Sequence, residues 1–441
     1  MKTFLERAKG SALDIVVGRE LPVNTIALLS PNIGQIRSLN LLCDEGNIMQ
    51  RFLQANSGPF PFLQALTIHT DDTGRFNPIT PLTEPYSINA VNLRVLHLYS
   101  KSRSSPSFAH FHFPNLISFK LSAEGVNAFR ASHLLDFFEA SPMLQTVSIT
   151  IIGSISFEDA PREEIVILPD VRTFELTTSD TGTEYKIAAH ISCPSARSTS
   201  LAHKHVTYYT VPANMFPTSS WLNMIVCQYT TTPVEEVTIR LETDLGIIAQ
   251  LTFRSADGAL IKLRFNRLDV GLYPTSSLEL QKTFFTQLTR AVQCHPHLAN
   301  VRCLRICHGF HFICSPEDSY IASELGRLFR SVGPLDELTI YRCNLRPYCY
   351  PLFSLQGDHT EGPVVFPPIK KLTILHPVHQ SEEQFEVAMV GMAKSQHGLG
   401  VPFEHVVIRG TSMPTGMEEG LRPWVSSVVY IYDEVCELDD D

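Results

Sequence analysis

No stretch of this sequence approaches the ~18 to 20 consecutive apolar residues that a membrane-spanning helix needs. The amino end does not supply a secretory leader either, because Glu6 and Arg7 stand where an apolar core would be required. Asn-x-Ser/Thr acceptors are absent, and ten cysteines spread over 441 residues are too sparse for a disulfide framework, so they read as reduced thiols. Charge is scarce as well: Asp, Glu, Lys and Arg make up 18%, and the net charge is −10. An acidic balance with scattered basic residues argues against nucleic-acid or anionic-membrane partners. No G-x-S-x-G, H-E-x-x-H, Walker or G-x-G-x-x-G pattern occurs. These absences point to an intracellular chain, cytoplasmic or nuclear, that is not an enzyme and carries no cofactor.

What the sequence does have is a repeated phrase, clearest in Phe113-Pro114-Asn115-Leu116-Ile117-Ser118-Phe119-Lys120-Leu121. The apolar-x-x-apolar-x-apolar spacing takes the chain from a loop into a half-buried strand. With each copy named by its middle apolar residue, clear ones fall at Leu39, Leu66, Leu96, Phe119, Val147 and Phe174, and a degenerate one at Thr199. The pattern resumes at Val237, Leu263, Leu304, Leu338, Leu372 and Val406, with a terminal copy at Val428. The last clear copies are spaced by 34 residues, and those from Leu39 to Leu304 by 23 to 41. A proline accompanies the first apolar residue in most copies, among them Pro61, Pro114, Pro142, Pro169, Pro334 and Pro402, where its missing N–H does no harm.

Helical signals fall between copies. Val126, Phe129, Leu134, Phe137 and Phe138 share one helical face, as do Phe284, Phe285, Leu288, Ala291 and Val292. Ser315-Pro316-Glu317-Asp318 reads as a capped helix start, and Ser381 to Gln384 resembles a capping box with Phe385, Met389 and Met392 behind it. One strand plus a helix or irregular return cannot bury its own apolar face, but stacked units can. The expected fold is therefore α/β, a leucine-rich-repeat-like solenoid of irregular repeats, each one parallel strand plus helix or loop. The expected organisation is an N-terminal half over 1–201, an irregular connection over 202–232, a C-terminal half over 233–432 and an acidic tail over 433–441.

Three further segments carry a family resemblance. Phe4 to Ile15, the run Leu28-Leu29-Ser30-Pro31-Asn32-Ile33 leading to Leu39, and Leu421-Arg422-Pro423-Trp424 near the carboxyl end are similar to parts of the F-box and leucine-rich-repeat-like proteins numerous in mushroom-forming fungi. The resemblance covers nearly the whole chain and falls on the repeat region. It implies a receptor whose repeats hold a substrate while an F-box docks on the Skp adaptor of an SCF-type ubiquitin ligase. The F-box is missing here: the chain starts where that module should already have ended, and Leu21-Pro22 leaves no room for its helices. A Skp partner is thus expected only with an F-box encoded upstream, and a truncated gene model of a full receptor is one alternative.

The other alternative is a zinc- or thiol-dependent enzyme centred on Cys294–Cys314, where Cys294, His295, His297, Cys303, Cys307, His308, His311 and Cys314 cluster. Cys303 and Cys307 bracket a strand and would stand about 13 Å apart at ~3.3 Å per residue, too far for one metal. His110 and His112 around Phe111 read as a partly buried loop. No metal ligand set is expected. A protein partner on the concave face is, through residues that flank the central apolar position of each strand. Because Tyr and Arg are enriched at interface anchors, the expected contacts are Tyr99, Arg240, Arg305, Tyr341 and Arg409.

Overall fold

The computed structural model describes residues 11–18, 30–43, 59–71, 90–101, 113–156, 165–179, 187–205, 219–242, 248–267, 286–293, 298, 300–308, 327–329, 331–341, 368–376, 382–410 and 416–432. The chain divides into two units, Met1–His205 with Gln228–Thr231, and Val206–Cys227 with Thr232–Asp441. Both are α/β, built on mostly parallel strands with few helices.

In the first unit eight strands lie side by side: β1 (Leu13–Val17), β2 (Ile36–Cys43), β3 (Ala65–Asp71), β4 (Val95–Lys101), β5 (Ser118–Arg130), β6 (Thr146–Ser156), β8 (Thr173–Thr178) and β10 (Ser198–His205). All neighbours pair parallel. The central residues that the sequence pattern identifies stand opposite one another without slippage, Leu39 against Leu66, Leu96, Phe119, Val147, Phe174 and Thr199 in turn. A one-residue slip would turn every core side chain outward, so the apolar pattern itself enforces this register. All seven are buried.

Six of these strands, β3 to β6, β8 and β10, are entered through the same tight turn. Leu63, Leu93, Leu116, Leu144, Val171 and Ala196 each donate a backbone N–H to the carbonyl three residues earlier, at 3.0–3.4 Å. Pro61, Pro114, Pro142, Pro169 and Pro194 occupy the second position of these turns, where a fixed φ near −65° is pre-set for the bend. Two asparagines knit turn to turn: the Asn92 amide donates to the Pro61 carbonyl at 2.7 Å, and that of Asn115 to the Val91 carbonyl at 2.8 Å. Behind the strands the return path varies. Helix α1 (Ala131–Glu139) buries Leu134, Leu135, Phe137 and Phe138. Further on, two short strands, β7 (Val166–Ile167) and β9 (Ile191–Ser192), pair parallel in a sheet of their own.

Thr199 is the weak member of the core row. It is 1% exposed and its Oγ1 meets no hydrogen-bond partner among the described residues. Burying an unpaired hydroxyl costs about 1 to 3 kcal/mol. Thr199→Val is expected to raise the melting temperature by about 2 °C, read by calorimetry on the full chain. An unchanged or lower value would mean that the hydroxyl is satisfied.

The second unit also has eight adjacent strands, in the order β13 (Leu260–Arg267), β12 (Ile248–Ser255), β11 (Val234–Glu242), β14 (Cys303–His308), β15 (Leu335–Tyr341), β16 (Ile369–Leu375), β17 (His405–Gly410) and β18 (Ser427–Tyr432). From β11 through β14 to β18 pairing is parallel, with Val237, Leu304, Leu338, Leu372, Val406 and Val428 in register. Helix α2 (Ser219–Tyr229) occupies part of the stretch expected to be irregular, residues 202–232. Helix α3 (Glu382–Gly398) buries Phe385, Met389 and Met392 as the spacing predicts, and α4 (Met417–Leu421) buries both of its end residues.

Residues two positions ahead of each central residue form a second aligned row here. It reads Glu235, Arg302, Asp336, Lys370 and Glu404, alternating in sign from strand to strand. Backbone hydrogen bonds of 2.8 Å join Arg302 to Glu235, Asp336 to Arg302 and Glu404 to Lys370. The Lys370 ammonium donates to Asp336 at 2.6 Å, and that hydrogen bond, ahead of the Lys370 and Arg302 charges, holds the Asp336 carboxyl below its usual range.

Two expectations are corrected by the structure. Leu263 is not a parallel repeat strand: β11, β12 and β13 form an antiparallel meander, with Ile239 opposite Leu251 and Leu251 opposite Leu263. The hairpin between β12 and β13 is made by Asp257-Gly258. Gly258 has φ 85°, and the Asp257 carboxylate accepts from Ser255, from the Ala259 N–H at 3.2 Å and from Thr232 at 3.0 Å. Val126 and Phe129 are not helical. β5 continues through them, pairing with β6 as far as Arg130 opposite Ser156 with bulges on the way, so the helix begins only at Ala131. Residues 309–326 and 433–441, with the expected helix start at Ser315 and the acidic tail, lie outside the described residues.

Candidate partner-binding face

Alternation along each strand sends the residues flanking the central position to the side away from the buried row. In the first unit that side is rich in Ser and Thr, with Ser118, Ser122, Thr146, Ser148 and Thr150 on β5 and β6. One cluster breaks the monotony. His69 and Tyr99, opposite each other on β3 and β4, stack face to face at 4.3 Å and 5°. His97 meets the Tyr99 ring edge-on at 6.4 Å, and the Lys120 ammonium sits 5.6 Å from its centroid. Burial depresses the pKa of His69; in His97 burial leads, followed by the Lys120 and His69 charges. Both imidazoles are therefore held neutral at physiological pH, which suits stacking. The pairing of Tyr99 with a histidine across strands needs strand register, which the repeat pattern supplies. It was readable in the sequence as positions three residues past Leu66 and Leu96.

In the second unit Glu236 is ion-paired with Arg305 at 3.2 Å and with Arg254 at 3.8 Å. Glu337 is ion-paired to Lys371 at 3.0 Å and takes a hydrogen bond from the Thr373 hydroxyl at 2.9 Å. Cys303 lies between the two glutamates. Burial first, then the Glu337 and Glu236 charges, push its thiol above the usual range. Such a sulfur stays protonated at neutral pH. Cys303 and Cys307 are half-buried thiols outside any disulfide. Among the described residues no group of His, Cys, Asp and Glu could hold a metal ion; Cys294, His295, His297, His311, Cys314, His110 and His112 lie outside them.

The residues expected to anchor a partner separate by unit. Tyr99 belongs to the first. Arg240, Tyr341 and Arg409 share one row of the second, three positions past the central residues of β11, β15 and β17. One strand intervenes between successive members, so each step is about 10 Å at ~4.8 Å per strand. Arg305 lies one pleat back, and Tyr341 packs edge-on against His376 at 5.6 Å and 85°. His376 itself has φ 46°, the left-handed region that a histidine adopts uncommonly. Sequence reasoning missed Arg254 and Lys262, because β12 and its antiparallel pairing were not recognised; Asp257-Gly258 was the available signal.

The sequence matches no protein-family model, and no curated protein matches it. Among the described residues no helix is long and apolar enough to cross a membrane.

Proposed function

We propose that this chain is a non-enzymatic protein–protein interaction scaffold, similar to the substrate-recognition repeats of an F-box protein of an SCF-type ubiquitin ligase. The observation that carries the reading is the row Arg240, Tyr341, Arg409, set on every second strand of one rigid parallel ladder. Arg and Tyr are the residue types that dominate binding energy at protein interfaces, and rows on paired strands hold them at fixed spacing. The in-register repetition further supports a leucine-rich-repeat-like solenoid, with the row on its concave side. Coupling to a Skp adaptor belongs to the proposal only together with an F-box encoded upstream.

The test compares the proteins captured by the wild-type chain with those captured by an Arg305→Ala, Tyr341→Ala double variant, by quantitative mass spectrometry. Specific partners of the wild type should fall about tenfold or more in the variant. Its melting temperature should stay within about 3 °C, because neither side chain is in the core. Equal capture by the two chains would remove this face from the reading.

A further inference from the structure

The turns entering the first unit's strands present a surface unlike the corresponding one in the second. Two positions ahead of the central residues stand Arg37, Arg94, Arg172 and Arg197, all exposed. Arg172 and Arg197 are direct neighbours, the N–H of the second donating to the carbonyl of the first at 2.8 Å. Like charges placed opposite each other in a sheet are unfavourable. Arg37 is neutralised by Asp14, whose carboxylate accepts from its Nε at 3.1 Å. For Arg94, Arg172 and Arg197 there is no acidic partner among the described residues. The rows directly before and after the arginines contain no acid, and the one acid in the turn row two positions ahead of them is Asp170. The equivalent row of the second unit, Glu235 to Glu404, alternates in sign, so each charge stands beside an opposite one.

A second observation lies on the same rim. Phe62, Val91 and Met143, in the turns of β3, β4 and β6, are 62%, 53% and 47% exposed. The second unit carries Pro233, Pro334, Pro368 and Pro402 two positions ahead of its alternating charge row. Across the strands the first unit's row reads Arg37, Gln64, Arg94, Ile117, Gln145, Arg172, Arg197, and the exposed apolar Phe62, Val91 and Met143 stand in the turns just ahead of it. Arg, aromatic residues and Met are the types enriched where proteins dock, and a guanidinium fork matches a carboxylate.

We propose that this strand-entry rim docks an extended acidic segment of another protein, in which carboxylates are interspersed with apolar side chains. Arg94 and Arg172 are separated by three strand steps, about 14 Å, which an extended peptide covers in about four residues. Carboxylates at that interval meet the arginines, an apolar residue between them covers Met143, and one beyond the Arg94 contact covers Phe62. A nucleic acid would supply the negative charge but would leave those apolar residues uncovered, and the chain's own net charge of −10 repels a long polyanion. The proposal rests on the scaffold reading for the claim that the partner is a protein, but not on which open-face residues bind.

The experiment is fluorescence anisotropy on the full chain. The probe is a labelled synthetic peptide with glutamate at about every fourth position and phenylalanine or leucine between. Binding is expected, weakening as salt rises, and lost when lysine replaces glutamate. An Arg94→Glu, Arg172→Glu, Arg197→Glu variant should bind about tenfold or more weakly. The corresponding triple Gln variant should also weaken, with a melting temperature no lower than wild type, which separates lost contact from lost folding. The Arg305→Ala, Tyr341→Ala variant should bind the peptide like wild type. If it does so while capturing all wild-type partners, the open-face reading fails and the rim stands. Undiminished peptide binding by the charge-reversed rim, or no binding by the wild type, overturns the proposal. So does a single-stranded oligonucleotide that binds in the peptide's place and is lost with the same arginines.

Discussion

Phe119→Ala is expected to destabilise the chain by about 3 to 5 kcal/mol, the largest effect of any single substitution considered. Phe119 is 0% exposed and stands at the middle of the core row, between Leu96 and Val147. Its ring packs at 4.7 Å from Phe137 and 6.0 Å from Phe138, both on α1, so it joins strand to helix. Truncation removes the transfer free energy of the ring and leaves a cavity that rigid strands on either side cannot close. Urea titration followed by circular dichroism should show the first transition moving to lower denaturant with little change in slope. Phe119→Leu, which keeps most of the volume, should cost about 1 to 2 kcal/mol. Equal costs for the two variants would mean that the specific ring contacts, and not the volume that leucine retains, carry the loss.

Glu337→Gln should lower stability at neutral pH by about 1 to 2 kcal/mol and should do so in a pH-dependent way. Burial alone would raise the Glu337 pKa, but the hydrogen bonds from Lys371 and Thr373 and the charges of Lys371 and Arg305 together hold it below the usual 4.5. A carboxyl whose folded pKa is depressed stabilises fully above the unfolded value, and that contribution disappears as pH falls through the folded value. The gap in melting temperature between wild type and Glu337→Gln should therefore be constant from neutral pH down to about 5 and close below 4.5. Asp14, Asp257 and Asp336 are depressed in the same direction and act equally on both proteins. A gap that stays open in acid would assign the loss to packing rather than charge.

The parallel ladders were legible because a repeated apolar triplet carries strand direction, register and buried face at once. Leu39 to Thr199 and Val237 to Val428 stand opposite one another as their spacing implies, even though the intervening lengths vary. The antiparallel insertion was not legible from the triplet. Leu260, Leu263 and Phe265 satisfy it as well as any parallel strand, and periodicity of two carries no sense of direction. The extension of β5 through Val126 was hidden for a related reason: apolar residues at positions 126 and 129 fit a helical face, and only pairing with β6 makes them strand. As for the site, the row membership of Arg240, Tyr341 and Arg409 followed from the pattern. The stacking of His69 on Tyr99 and the charge contrast between the two strand-entry rows depended on counting positions the core does not use.

The alternating row Glu235, Arg302, Asp336, Lys370, Glu404 gives the second unit a parity. Excising one 34-residue repeat, for example the one centred on Leu338, would close the ladder with Arg302 beside Lys370, two positive charges in a slot built for opposites. Excising two adjacent repeats would bring Arg302 beside Glu404 and restore the alternation. In this half of the molecule, repeats can be gained or lost in pairs with the charge order intact, whereas each single event would have to be accompanied by a change of sign at one strand entry.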